Sequence, residues 1–207
     1  MLLTQRIDSN LYSEINNEDL LLQFYEKGEE ISLLDLGLWQ VYRGVVQLSR
    51  INNAGKEVVV GWASNNSAFG NWLDIVSAYR AQALSDVYVK WHSPQDIARS
   101  PHIARILLGQ LSQRLIRAEQ FLTVTAIRRI DERLWETLMI LKEDIGQTVD
   151  DGTQLKVRFT HQNLADAIST TRVTITKILG HFQDLDLISI NVDHLITIKG
   201  SEYRTAD

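Results

Sequence analysis

Up to about Ser93 the chain alternates apolar and polar positions with the period of short strands. Val45 to Ile51 and Lys56 to Trp62 flank Asn52-Asn53-Ala54-Gly55, a turn sequence ending in glycine, and this predicts a β-hairpin. Val87, Val89 and Trp91 alternate with Tyr88 and Lys90, as in a half-buried strand. Several such strands separated by turns predict a small β-sandwich or barrel. After Pro101 the period becomes helical. Ala104, Leu108, Leu111, Leu115, Ala118, Leu122 and Thr125 are spaced 4, 3, 4, 3, 4, 3, the apolar seam of a coiled coil. That seam predicts a parallel homodimer joined over residues 101–127. With Leu108, Leu115 and Leu122 at the a positions, Arg114 is a g residue and Glu119 the e residue that faces it from the partner. The same spacing also suits a long helix packed against its own domain. A second helix carries Leu134, Leu138, Leu141 and Ile145 on one face, stopping near Gly146. The turn Asp150-Asp151-Gly152 after it reads as a domain boundary.

Two shorter helices follow. Thr160 is a good N-cap for a helix through Ile168 that turns Leu164, Ala165 and Ile168 inward. After an interruption at Ser169-Thr170, a helix from about Thr171 to Leu185 places Ile175, Ile178, Leu179, Phe182 and Leu185 on one arc, which reads as core. Arg172, Val173, Thr176, Lys177 and Gly180 occupy the opposite arc. Two helices joined by a short turn, the second polar and basic in its N-terminal half, form a helix-turn-helix able to put side chains on base edges. Leu187 to Ile190 and Leu195 to Ile198, linked by Asn191 to His194, would add a β wing.

Composition narrows the function classes. Without cysteine the chain has no disulfide, thiolate metal site or thiol switch, and no apolar run is long enough to span a membrane. With no signal-like start either, a cytoplasmic protein is expected. The formal net charge of −5 looks unfavourable for a nucleic-acid binder. Residues 153–207, however, carry six basic and six acidic side chains, so the excess of acid lies upstream. Nucleotide-binding and hydrolase motifs are missing, and the five histidines are scattered. Neither a catalytic nor a metal site is therefore expected.

Phe159 to Gly180, with Leu187-Ile188-Ser189-Ile190 after it, resembles the DNA-binding motif of the Crp/Fnr regulators. Thr170-Thr171-Arg172-Val173-Thr174 is most similar to the cyanobacterial nitrogen-regulator branch of that family. Arg43 to Arg50 and Asn66 to Gly70 resemble its cyclic-nucleotide-binding-type β-roll. The resemblance implies an α+β chain of three parts: a shortened β-roll effector-type domain over 1–100, a dimerisation helix over 101–127 and a winged helix-turn-helix over 128–207. It implies a dimeric transcription regulator on a pseudo-palindromic promoter site, with double-stranded DNA and RNA polymerase as partners. Thr160, His161, Gln162, Thr170, Thr171, Arg172, Val173, Thr174, Thr176 and Lys177 form the expected DNA-facing set. Arg172 can bond guanine O6 and N7. Val173 stands where many relatives have glutamate and offers only apolar contact, which suits a thymine methyl and a GTA-like half-site. Ser169 replaces the usual turn glycine, a departure that costs about 1 kcal/mol if the position needs positive φ.

Relatives that bind cyclic AMP have a glutamate just after the Phe-Gly pair and an arginine further on. Asn71 and Ser77 take those places here, with Arg80 three residues off. A buried phosphate would lack its counter-charge, so cyclic AMP is not the expected effector. The nitrogen-regulator branch implies 2-oxoglutarate instead. The corresponding candidate contacts are Phe69, Gly70, Asn71, Trp72, Arg80, Arg114 and Glu119, for 2-oxoglutarate, another ligand or none. The rival to a DNA-binding regulator is an interaction module that keeps the fold and has lost DNA binding.

Overall fold

The computed structural model describes residues 22–72, 79–200 and 203. Seven strands form two antiparallel sheets: β1 (Gln23–Tyr25), β2 (Gly37–Arg43), β3 (Val46–Ile51), β4 (Glu57–Ala63), β5 (Ala68–Asn71), β6 (Tyr79–Ala83) and β7 (Val87–His92). One sheet runs in the order β1-β7-β2-β5 and the other β4-β3-β6. Alternation drives this packing. Trp39, Val41, Val46, Leu48, Phe69, Val87 and Val89 turn inward and close one core between the sheets. The predicted hairpin is β3–β4, its turn held by the Asn52 carboxamide oxygen, which accepts from the backbone N–H groups of Ala54 and Lys56 at 2.9 and 3.0 Å. Ahead of β2, residues 28–31 join β6 through a Glu30–Gln82 bridge and through backbone hydrogen bonds of Gly28 and Glu29 with Ala83 and of Ile31 with Ala81.

Helix α1 (Pro94–Arg99) leads into the long α2 (Pro101–Thr125). Both helices begin on serine caps, Ser93 and Ser100, each followed by proline, which loses nothing at a position whose N–H is unpaired anyway. The heptad seam of α2 splits. Leu107, with half-buried Ile103, Ala104 and Leu111, packs on Leu38 and Ala68 of the β-roll. Leu108, Leu115 and Leu122 point away from it and are 66%, 61% and 69% exposed in the single chain. Of the seam, Ala104 and Leu111 therefore cover the chain's own β-roll, while Leu108, Leu115 and Leu122 stand exposed in the single chain.

Helix α3 (Ile130–Ile145) buries Leu134, Leu138, Leu141 and Ile145 as expected, with Trp135 beside them. The boundary expected at Asp150-Asp151-Gly152 is a correction. Those residues join β8 (Gly146–Val149) to β9 (Gly152–Leu155), and β9 pairs with the wing strand β11 (Ile196–Ile198) in the order β10-β11-β9-β8, with β10 at Ile188–Ile190. The turn lies inside the C-terminal sheet because Thr153 and Gln154 bond to residues more than forty positions on, a pairing local patterns do not reveal. Helices α4 (His161–Ala167) and α5 (Arg172–Asp184) close a core with α3 and this sheet. Leu185, expected in that core, is 51% exposed. It is the C-cap residue, where the chain leaves helical geometry and the arc no longer predicts facing.

The β-roll and the C-terminal part meet through Trp62, whose ring stands edge-on to Phe121 at 5.3 Å and to Phe159 at 5.9 Å. Arg117 of α2 adds contacts to Glu143 and Asp144 of α3 at 2.6 and 2.7 Å. Among the described residues no helix is long and apolar enough to cross a membrane.

Candidate nucleic-acid interface

The sequence builds the helix-turn-helix from its caps. Thr160 Oγ1 accepts from Asn163 N–H, and Asn163 Oδ1 accepts in return from Thr160 N–H, both at 3.0 Å, a reciprocal cap that fixes the start of α4. Thr171 Oγ1 accepts from Thr174 N–H at 3.2 Å and starts α5. Between them Ser169 sits at φ 55°, the left-handed region that favours glycine. The strain foreseen for this position is present. Ser169→Gly is expected to raise unfolding free energy by about 1 kcal/mol, and unchanged chemical denaturation would show that the turn carries no such strain.

The outer face of α5 is open. Arg172, Val173, Thr176 and Lys177 are exposed, Val173 by 64%, while Ile175, Leu179 and Phe182 are buried beneath. Thr176 Oγ1 lies 2.7 Å from His161 Nδ1 and 2.9 Å from the Arg172 carbonyl oxygen. The bond between His161 and Thr176 ties the first turn of α4 to the recognition helix. Burial lowers the His161 pKa, and the charges of Arg172 and His194 add to the effect, favouring a neutral ring. Gln162 donates to Asp166 along α4 at 2.8 Å. A groove of about 480 Å³ runs between these helices and the wing, lined by Arg158, Thr160, His161, Gln162, Arg172 and His194. It thus brings together four members of the expected set. Arg158 and His194 were not foreseen, since neither lies on a helix of the motif. At the wing tip Asn191 Oδ1 accepts from the backbone of Asp193 and Leu195, leaving Val192 open to solvent.

Arg133 was also missed. Its guanidinium donates to the Ile127 carbonyl at 3.0 and 2.7 Å and to the Ile168 carbonyl at 2.9 Å. One side chain thereby joins the end of α2 to the turn of the helix-turn-helix. Hydrogen bonds from a charged donor contribute about 1.5 to 3 kcal/mol, so Arg133→Ala should lower unfolding free energy by about that amount. A change under about 0.5 kcal/mol, the scale of neutral surface substitutions, would remove Arg133 from this role.

The candidate effector residues are distributed rather than clustered. Phe69 is wholly buried in the β-roll core. Gly70 pairs with β2 so closely that a Cβ would lie 2.4 Å from the Gly37 carbonyl oxygen. Asn71 is buried and donates from Nδ2 to the Leu33 carbonyl at 2.8 Å, while Trp72 is partly exposed. Arg80 faces Glu30 and Glu57 at 3.5 and 3.6 Å. Arg114 donates to the Tyr79 hydroxyl at 2.6 Å and lies over the Tyr79 ring. Glu119 is exposed. A small cavity beside Arg114 is lined by Trp62, Arg117 and Phe121, and does not include Phe69 to Trp72. Ser77 lies outside the described residues. Among the described residues there is no group of three or more potential metal ligands.

The Crp-like helix-turn-helix domain matches residues 132–202, which span α3 to the wing. The global nitrogen regulator of Synechococcus elongatus is 30% identical, over 87% of this chain and 88% of its own length. That of Synechocystis is 32% identical, over 72% of this chain and 70% of its own length. The chain belongs to the Crp/Fnr family of transcription regulators. A solved CRP-family regulator from Thermus thermophilus superposes with a TM-score of 0.70 at 16% identity, over 86% of this chain and 92% of that one, and so shares the fold. This Crp/Fnr protein is a DNA-binding transcription regulator with a helix-turn-helix, not an enzyme.

Proposed function

We propose that the protein acts as a homodimer joined along α2 on a pseudo-palindromic, GTA-like promoter site, with residues 1–100 as the effector-type domain, 101–127 as the dimer helix and 128–207 as the DNA-binding domain. The observation that carries the reading is the open polar face of α5, where Arg172, Val173, Thr176 and Lys177 stand clear of the core. Arg172 bonds a guanine through its fork and Val173 packs on a thymine methyl. Thr160, His161, Gln162, Thr170, Thr171 and Thr174 lie at the helix starts and meet the backbone, where phosphates are held. The free leucines of α2 support the dimer. The name of the relatives supports a role at nitrogen-responsive promoters, where RNA polymerase would be the further partner. Duplex binding measured across salt concentrations tests the reading. A helix-turn-helix dimer should lose affinity with a log–log slope of about −0.9 per phosphate contact and select GTA-like half-sites from a random pool. Binding absent at low salt would leave only an interaction module.

For the effector, one observation favours a regulator whose DNA binding does not depend on 2-oxoglutarate. Asn71, Arg80 and Arg114 already hold Leu33, two glutamates and Tyr79 within the chain. A dicarboxylate would have to displace the Tyr79 hydroxyl from Arg114. DNA affinity should therefore stay constant as 2-oxoglutarate or cyclic AMP is titrated. A rise of about 5-fold or more, the lower end of allosteric coupling, that is abolished in Arg114→Ala would restore the 2-oxoglutarate reading.

A further inference from the structure

Where the β-roll meets the C-terminal part, a cleft gathers cations in a chain whose formal net charge is −5. Three separate segments supply them. Lys27 comes from the turn after β1, Arg43 from the end of β2, and Lys156 and Arg158 from the extended stretch after β9. Among the described residues none of these four side chains makes an ion pair or a side-chain hydrogen bond. Two carboxylates line the same cleft, and one of them is ion-paired. Asp86 accepts from the Lys27 backbone N–H at 3.2 Å, and Asp144 holds Arg117 Nε at 2.7 Å.

The walls are built rather than loose. Gly44 turns at φ 93°, where a Cβ would lie 2.3 Å from the Asp86 carbonyl oxygen, so the turn carrying Arg43 tucks tightly against residues 85–86. Val45 N–H donates to Ser85 Oγ at 3.1 Å, and Leu84 N–H to the Val45 carbonyl at 2.8 Å. On the far wall Lys156 N–H donates to the Ile145 carbonyl at 3.1 Å. The cleft encloses about 690 Å³, within the range of about 300 to 1,000 Å³ usual for small-molecule sites. The half-buried Tyr88 provides apolar surface beside the cations.

Lys27, Arg43, Lys156 and Arg158 outnumber Asp86, the one carboxylate of the cleft with no ion pair among the described residues, and an anion in the cleft would meet that excess of positive charge. Guanidinium forks suit phosphate oxygens, and lysines add point charge. Four cations spread over a cleft of this size exceed what a single phosphate or carboxylate can meet, while the apolar surface can take a ring. We propose that the cleft binds a small molecule bearing two or more phosphate groups, of the nucleoside polyphosphate class, and that the bound molecule fixes the β-roll against the DNA-binding part. The competing occupant is the backbone of a long duplex, because Arg158 also lines the groove beside Arg172. The concave shape and the apolar surface favour the small molecule.

The test uses the full chain with inorganic tripolyphosphate and ATP in calorimetry. Both should bind once per chain. Arg43→Gln and Lys156→Gln are exposed substitutions that leave the core intact, and each should weaken binding by about tenfold or more, the scale of one lost charge-assisted bond. Arg80→Gln, outside the cleft, and Arg172→Ala, on the recognition helix, should leave it unchanged. Absent binding, binding unmoved by Arg43→Gln and Lys156→Gln, or binding lost in Arg172→Ala would each overturn the site. If neither probe binds while the two cleft variants weaken only a duplex extending well beyond the half-sites, the occupant is DNA and the proposal fails. Affinity for a core-length duplex in the same variants, without either probe, reports on the DNA-binding reading separately.

Discussion

Leu115→Asp is expected to leave each subunit folded and to separate the two. Leu115 is 61% exposed in the single chain, so an aspartate there disturbs little within the subunit. In the proposed parallel dimer the same position lies at the seam, between Leu108 and Leu122, and two carboxylates would face each other there. Losing two buried leucines forfeits about 3 to 6 kcal/mol, and leaving two charges without partners adds to that. Association should weaken by about two to four powers of ten. Sedimentation at micromolar concentration reads the outcome, with circular dichroism confirming an unchanged subunit. Binding to the full site should fall with it, because half-sites about one helical turn apart are engaged together only by a dimer. A variant still dimeric at micromolar concentration would move the interface away from α2.

Arg172→Ala is expected to cost about 1 to 3 kcal/mol per half-site on the selected sequence and far less on random duplex. The reason lies in the chemistry of the lost contact: a bidentate bond to guanine carries sequence information, whereas the phosphate contacts of neighbouring residues do not. Val173→Glu should move preference toward a G·C pair at the adjacent step, since a carboxylate accepts from cytosine N4 where a valine cannot. Neither substitution touches the core, because both side chains are exposed and the buried face of α5 is Ile175, Leu179 and Phe182. Stability should therefore stay within about 0.5 kcal/mol of wild type. Selection from a random duplex pool is the measurement, and an unchanged motif in both variants would exclude these residues from base readout.

The sequence alone determined what rests on near neighbours. The cap at Thr160, the inward set Leu164, Ile175, Leu179 and Phe182, the β3–β4 hairpin and the wing turn are all written within a few residues of where they act, and the structure has them, while Thr171, read as the start of the second helix, is its cap. The positive φ at Ser169 was anticipated through the family resemblance, whose turn usually carries glycine at that place. What only the tertiary structure decided involves partners far along the chain. The 4,3 spacing of α2 marks apolar positions without naming what covers them, and the β-roll takes Ala104 and Leu111 while leaving Leu108, Leu115 and Leu122 free. The strands β8 and β9 looked like a boundary because their partner β11 lies some forty residues on. Arg114 carries the same charge whether it meets a carboxylate or Tyr79, and Asn71 the same amide whether it meets a ligand or Leu33. Local periodicity fixes which way a side chain points, but its partner is fixed by chain segments that meet only on folding, and so the recognition helix was legible in the sequence while the surroundings of the effector candidates were not.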